Sequence, residues 1–319
     1  MTIHKLTLPT HMPIGPVNVY LVEGDLLTLI DTGPRSDETF RVLEQEVAAR
    51  GFSLSDLKRI VITHTHPDHF GLVRRIVDLS GAEIWTHPYN AGWFNALDEM
   101  VERRSAFTLQ VFRQAGVPDA FVHDMAQGAK RFGRMFEAAP ASHWLHEGDT
   151  FELGGLPWQV LHTPGHASGH VSFYEPRSRQ MIAGDHLIKL VSSNPMLEAP
   201  RVVGQPRDMA LVQYMESMRR VAQIDVGVAY SGHGDEITAH RELIEQRLVF
   251  HEARAEHIYN LIAERQRTAY ELMRELFPRL TDFEIYLGLS EIIGHLDILQ
   301  LQGRIVELPQ NGHFVYAKA

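Results

Sequence analysis

The segment Thr63-His64-Thr65-His66-Pro67-Asp68-His69 is where this chain concentrates side chains suited to chemistry. Imidazole and carboxylate are ligands for divalent transition metals. With 19 histidines in 319 residues, three of them and one aspartate fall into this register by chance on the order of 0.003 times per chain. The segment follows the apolar run 59–62. A chain leaving a strand points residues two apart the same way, so His64 and His66 can grip one ion, while Asp68 and His69, where the chain turns into a helix, face a second. Two coordination spheres need more ligands than these. Further candidates stand at or just beyond the ends of β-rich runs: His166 after Thr163-Pro164-Gly165, Asp185 after Ala183-Gly184, and His233 within Ser231-Gly232-His233-Gly234. The glycine before each lets the backbone turn sharply and come close to an ion.

Short β-rich runs alternating with helical patterns must position these residues. Residues 17–21 and 26–31 read as a hairpin around Glu23-Gly24-Asp25, and a helix from the N-cap Ser36 is closed by Gly51. A strand at 60–62, a helix at 71–80 and a strand at 82–85 follow. From about 89 to 136 the pattern is helical and rich in Phe, Met and Arg, the texture of an inserted cap. Strands return at 158–161, 171–174, 181–183 and 226–230, with a helix at 209–222 before the last. After His233 comes a long helix to about 265, then two capping-box signatures, Thr268-x-x-Glu271 and Thr281-x-x-Glu284, each opening a helix. A hairpin around Asn311-Gly312 ends the chain as given. Helix, helix, hairpin is the layout of a winged helix.

Taken together these segments resemble the five motifs of the metallo-β-lactamase superfamily: Asp31-Thr32-Gly33, residues 64–69, His166, Asp185 and His233. The resemblance spans residues 17–237. It implies an αββα sandwich of the α/β class, with a helical cap inserted at about 89–145 in a catalytic domain over 1–238, and a helical, winged-helix-like domain over 239–319. It further implies that His64, His66 and His166 hold one metal ion, that Asp68, His69 and His233 hold another, and that Asp185 bridges the two. Such a ligand set suits Zn²⁺, with Fe or Mn as alternatives. A water between two such ions has its pKa lowered toward about 7 and serves as the nucleophile, with Asp68 and Asp185 the carboxylates at the centre of the chemistry. Asp31 is read as accepting a hydrogen bond from a ligand histidine and fixing its tautomer, or else as a turn residue at a strand end.

Of the remaining residues, Tyr89, His186, Lys189 and Tyr214 could supply an oxyanion donor or leaving-group acid. Trp93, Phe94, Met100, Phe107, Phe112, Phe121, Phe132 and Phe136 could line an apolar pocket, although helix packing accounts for aromatic and Met residues at such spacing. The cluster Lys130, Arg131 and Arg134 fits a solvated helix face or an anionic group. The composition, 44% hydrophobic and 22% charged, is that of a globular protein. No apolar run approaches about 18 residues, so neither a membrane span nor a signal peptide is expected. No cysteine is present, which excludes disulfides and thiolate ligands and fits a cytoplasmic location. A net charge of -10 argues against nucleic acid as a partner. From His240 onward 9 Lys and Arg stand against 12 Asp and Glu, and residues 283–302 contain no Lys or Arg, so the C-terminal unit lacks a DNA-recognition helix. The family resemblance includes the lactamase-like hydrolases with a C-terminal extension, in which His251-x-x-Arg254 finds a parallel. The expected substrate is a small ester, thioester or lactone, as in hydroxyacylglutathione hydrolases and lactonases. Phosphodiester or RNA cleavage is the alternative, and a non-catalytic metal-binding regulator a third. A homodimer is left open.

Overall fold

Ser36 opens the first helix as expected. Its hydroxyl accepts from the Thr39 N–H at 3.0 Å, and Asp37 and Glu38 occupy the first turn, where the helix dipole favours negative charge. Helix α1 (Asp37–Ala48) then buries Phe40, Leu43 and Val47, the spacing of a single helix face. It lies on a six-stranded sheet of β1 (Ile3–Leu8), β2 (Val17–Val22), β3 (Thr28–Ile30), β4 (Arg59–Val61), β5 (Glu83–Thr86) and β6 (His143–Trp144), paired in that order. The structure is a computed structural model that describes residues 2–122, 135, 137–281 and 284–319. Strands β1 to β3 are antiparallel, whereas β3 to β6 run parallel. Between β4 and β5 come a four-residue helix α2 (Pro67–Phe70) and α3 (Val73–Ser80), which Gly81 ends in the left-handed conformation at φ 67°.

The second sheet has five strands in the order β11, β10, β9, β8, β7. Their ranges are β7 (Thr150–Leu153), β8 (Leu156–His162), β9 (Val171–Glu175), β10 (Gln180–Gly184) and β11 (Val228–Ser231). Tyr20, Val22, Ile30 and Val61 from the first sheet meet Trp158, Val160, Phe173 and Ile182 from the second in one buried layer. The opposite face of the first sheet packs on α1 and α3 through Leu29, Ile60, Leu43 and Ile76. The outer face of the second is covered by a helix carrying Leu211, Met215 and Met218. These layers make an αββα sandwich.

The cap begins with α4 (Ala91–Asn95) and α5 (Leu97–Gln114). Trp93, Phe94 and Met100 join the core beside the first sheet, and Phe107, Phe112 and Phe121 join a second one, so helix packing accounts for all six. Phe132, Phe136, Lys130, Arg131 and Arg134 lie outside the described residues. The insertion ends before 145, because His143 and Trp144 pair with β5; a two-residue strand leaves no periodicity to read. After α6 (Ala210–Ala222), the C-terminal part consists of α7 (His240–Glu264), β12 (Arg267–Thr268), α8 (Ala269–Leu276), α9 (Ile285–Leu301), β13 (Ile305–Gln310) and β14 (His313–Lys318). β14 pairs with both β12 and β13. Thr268 and Glu271 form the full capping box. At Thr281 only half forms: the Glu284 carboxylate accepts from the Thr281 N–H and hydroxyl, and the helix starts at Ile285. Helix α9 is buried on nearly every side and shares its core with Val111, Phe112 and Val117 of the cap region. No helix among the described residues is long and apolar enough to cross a membrane.

Phe173 is fully buried between the sheets and meets Phe151 edge-on at 5.3 Å. Phe173→Ala should therefore lower stability by about 3–5 kcal/mol, read from the denaturant midpoint at unchanged slope.

Candidate metal centre

All five motif segments follow strand ends on one rim of the sandwich: Asp31 after β3, residues 64–69 after β4, His166 between β8 and β9, Asp185 after β10 and His233 after β11. Asn18 on β2 ties the two sheets at this rim, with its N–H donating to the Gly232 carbonyl at 2.7 Å and its side-chain amide to those of Ser231 and Gly234. Gly165 permits the turn to His166: it sits at φ 132°, and a Cβ there would lie 2.3 Å from Cα of Tyr214.

The structure brings the seven predicted residues together. Ligand atoms of His64, His66 and His166 lie within 4.8 Å of one another, as do those of Asp68, His69 and His233, and those of His64, His69 and Asp185. Asp185 stands between the groups, with Oδ1 3.4 Å from Nε2 of His69 and Oδ2 3.6 and 3.5 Å from Nε2 of His166 and His233. His233 Nε2 is 3.4 Å from Oδ2 of Asp68. A divalent ion with tetrahedral bonds of about 2.0–2.2 Å sets its ligands about 3.3–3.6 Å apart, which is the spacing found. Nε2 of His64, His66, His69, His166 and His233, together with Oδ1 of Asp185, are buried without a hydrogen-bond partner among the described residues. Buried polar atoms are nearly always paired, so six such atoms meeting in one place fit a cation.

On the far side of the rings the bonds fix the tautomers. Nδ1 of His69 donates to Oδ2 of Asp31 at 2.8 Å. Nδ1 of His166 faces the Asn194 carbonyl at 2.9 Å, and Nδ1 of His233 that of Pro16 at 2.9 Å. Carboxylates and carbonyls only accept, so in the neutral rings the proton sits on Nδ1 and the Nε2 lone pair points inward. His64 has Oγ1 of Thr63 at 3.0 Å from its Nδ1. Asp31 also accepts from the N–H and hydroxyl of Thr63, both at 2.8 Å. It holds this position at φ 60°, a strained value for a non-glycine residue.

Charge in the pocket is divided. Burial pushes His64 and His66 well below their ordinary pKa, and neighbouring imidazoles add to the effect. Burial acts against charge on His69 too, but Asp185, Asp68 and Asp31 outweigh it and hold that group well above its ordinary value. The same contest, won by Asp185 and Asp68, raises His233 to about 10. Burial would raise Asp185, yet His69 and His233 hold it well below the carboxylate range.

The four proposed donors stand apart from this cluster. His186 is fully buried beneath the Tyr214 ring, and the Tyr214 hydroxyl donates to the His186 carbonyl at 3.1 Å. Lys189 is half-exposed beside Asp235, and Tyr89 is an exposed ring under the Arg201 guanidinium. Residues not singled out from the sequence do more. His170, fully buried, accepts from the Asp185 N–H at 3.1 Å, and Asn90 donates to the Gly169 carbonyl at 3.0 Å, joining the β5 and β8–β9 loops. The only sequence signal for His170 is its place four residues after His166, just before β9.

The sequence profile of the metallo-beta-lactamase superfamily matches residues 12–233. The chain is 35% identical over 315 residues to the probable metallo-hydrolase YqjP of Bacillus subtilis, covering 98% of this chain and 96% of that one. A metallo-beta-lactamase family protein from Thermus thermophilus superposes with a TM-score of 0.85 at 28% identity, over 99% of this chain and 98% of that one. The hydroxyacylglutathione hydrolase GloC of Haemophilus influenzae is 28% identical over 138 residues, which is 42% of this chain and 51% of that protein. The chain belongs to the metallo-β-lactamase superfamily and has its fold.

A Cβ at Gly232 would lie 2.1 Å from Oδ1 of Asp185 and 2.9 Å from Cε1 of His69. Gly232→Ala should therefore displace Asp185 and weaken divalent-metal uptake by about tenfold or more. Elemental analysis after equilibration with limiting metal provides the comparison with the unaltered chain.

Proposed function

We propose that the chain is a binuclear metal-dependent hydrolase acting on an ester, thioester or lactone. The observation that carries this reading is the convergence of five unpartnered Nε2 atoms and the Asp185 carboxylate at one buried point. His64, His66 and His166 would hold one ion and Asp68, His69 and His233 the other, with the Asp185 carboxylate available between the two groups. Nitrogen-rich ligation without thiolate suits Zn²⁺, with Fe or Mn as alternatives at the position that includes Asp68. Divalent ions bound there supply Lewis acidity and lower the pKa of water toward neutrality. The chain's own residues do the positioning. Asp31 keeps the proton of His69 on Nδ1, the carbonyls of Asn194 and Pro16 do the same for His166 and His233, and His170 anchors the backbone of Asp185.

Support for the substrate class is chemical and comparative. A polyanionic substrate would approach a chain of net charge -10 against long-range repulsion, whereas a small acyl substrate would not. The relative GloC is a hydroxyacylglutathione hydrolase, so its substrate is a thioester. The deciding experiment pairs metal analysis with a panel containing a simple thioester, a lactone and a phosphodiester. About two ions per chain are expected, with turnover of the acyl substrates and a loss of more than about 100-fold in Asp185→Ala. Full activity after removal of metal would overturn the metal reading, and preferential phosphodiester turnover the substrate class.

The raised pKa values of His69 and His233 give a second test. A protonated nitrogen cannot bind an ion, so loading must expel those protons. At neutral pH at least two protons should leave per chain, those of His69 and His233 and any that bound water releases, and apparent affinity should rise as pH increases from neutrality. Titration calorimetry in buffers of different ionisation enthalpy reads the number directly, and identical heats in all buffers would contradict it.

A further inference from the structure

The segment from Ser192 to Leu197 lies between His166 and the C-terminal helices, and it is bonded to both. Toward the metal centre, the Asn194 carbonyl and Ser193 Oγ sit 2.9 and 2.8 Å from Nδ1 of His166, and the Met196 N–H donates to the His166 carbonyl at 3.3 Å. Toward helix α9, the Asn194 side-chain amide donates to the Leu287 carbonyl at 3.0 Å. The Leu197 N–H donates to Ser290 Oγ at 3.3 Å, and the Tyr286 hydroxyl donates to the Leu197 carbonyl. Ser192 makes the contact with α7, its Oγ lying 2.9 Å from Nε2 of His251.

Behind Ser192 each proton has one place to go. Nδ1 of His295 is 2.7 Å from the Glu291 carbonyl, which only accepts, so that nitrogen carries the proton and Nε2 of the neutral ring has a lone pair. Nδ1 of His251, 3.3 Å away, must then donate to it. That leaves Nε2 of His251 as an acceptor, and the Ser192 hydroxyl donates. Both rings are fully buried. Burial, His295 and the guanidinium groups of Arg254 and Arg247 keep His251 neutral. His251, Glu291 and His295 are close enough to suggest another metal site. However, Arg254 already pairs with Glu291 at 3.0 Å, and the ring nitrogens are used in the chain of bonds.

We propose that Ser192, His251 and His295 form a hydrogen-bonded chain of fixed polarity through which the C-terminal helices hold residues 193–194 against His166, making His251 a positioning residue for the ion that His166 binds. This rests on the metal reading above. Removing the His251 nitrogens takes from the Ser192 hydroxyl the acceptor that ties it to α7, leaving it the neighbouring Tyr214 hydroxyl, and loosens the backing of one ligand, while the group of Asp68, His69 and His233 keeps its own supports.

The test compares the full-length wild type, His251→Phe, His251→Gln and Ser192→Ala, each loaded with Zn²⁺ and dialysed against increasing chelator, with ions per chain measured. In His251→Phe one ion should be lost at about tenfold lower chelator than in the wild type, with the other retained. The Gln variant should recover most of that difference, since its amide can accept from Ser192 and donate to His295. Ser192→Ala should shift in the same direction as the Phe variant, and it decides the matter if His251→Phe does not fold. Wild-type retention of both ions in His251→Phe and Ser192→Ala overturns the proposal, as does equal loss in the Phe and Gln variants, which would mark a packing effect. A wild type that retains no ion overturns the metal reading instead.

Discussion

Imidazole nitrogens and carboxylate oxygens are expensive to bury unpaired, and this fold buries six of them around one point. Everything else at the rim follows from that constraint. The rings must be turned so that their lone pairs face inward, and an acceptor behind the other nitrogen sets that orientation for His69, His166 and His233. The acceptors come from distant parts of the chain: Asp31 for His69, Asn194 for His166, Pro16 for His233. The sandwich provides them because its strands end together on one side. The inter-sheet layer of Tyr20, Ile30, Trp158 and Phe173 keeps those ends in register, so the hydrophobic core and the polar centre are one mechanical system.

Legibility in the sequence followed how local each signal was. Residues 64–69 declare themselves because ligands crowd into one turn. His166, Asp185 and His233 could be found because glycine precedes each at a strand end, and the structure explains those glycines: Gly165 abuts the Tyr214 backbone, and Gly232 abuts the Asp185 carboxylate. The order of the main strands and helices was readable from periodicity, with ends off by a residue or two. β1 and β7 were not anticipated, nor was the two-residue β6, whose identity depends on its pairing with β5. His170 was missed for a related reason: its bond to the Asp185 N–H joins residues 15 apart, and one more histidine near a motif carries no spacing signal. His251 and His295 are 44 apart on different helices, so only their packing reveals that they meet.

The C-terminal helices are more than an appendage to the sandwich. Helix α9 shares its apolar core with the cap residues Val111, Phe112 and Val117 and with Met196 and Leu197. Loop, cap and C-terminal helices are therefore packed as neighbours on one side of His166. The acidic character of the C-terminal segment and the lack of Lys and Arg in α9 fit a role in packing better than one in reading nucleic acid.

The bonds from Asn18 to Ser231 and Gly234 span 213 and 216 positions. During translation the first strands leave the ribosome long before their partners exist, and the rim stays open until residues 231–234 have been made. The imidazoles and carboxylate of residues 64–69 are meanwhile exposed on an incomplete scaffold, without the folded arrangement of acceptors that fixes the tautomers. Completion of the polar centre thus waits on pairings that span 213 and 216 positions rather than on the synthesis of the histidine-rich turn.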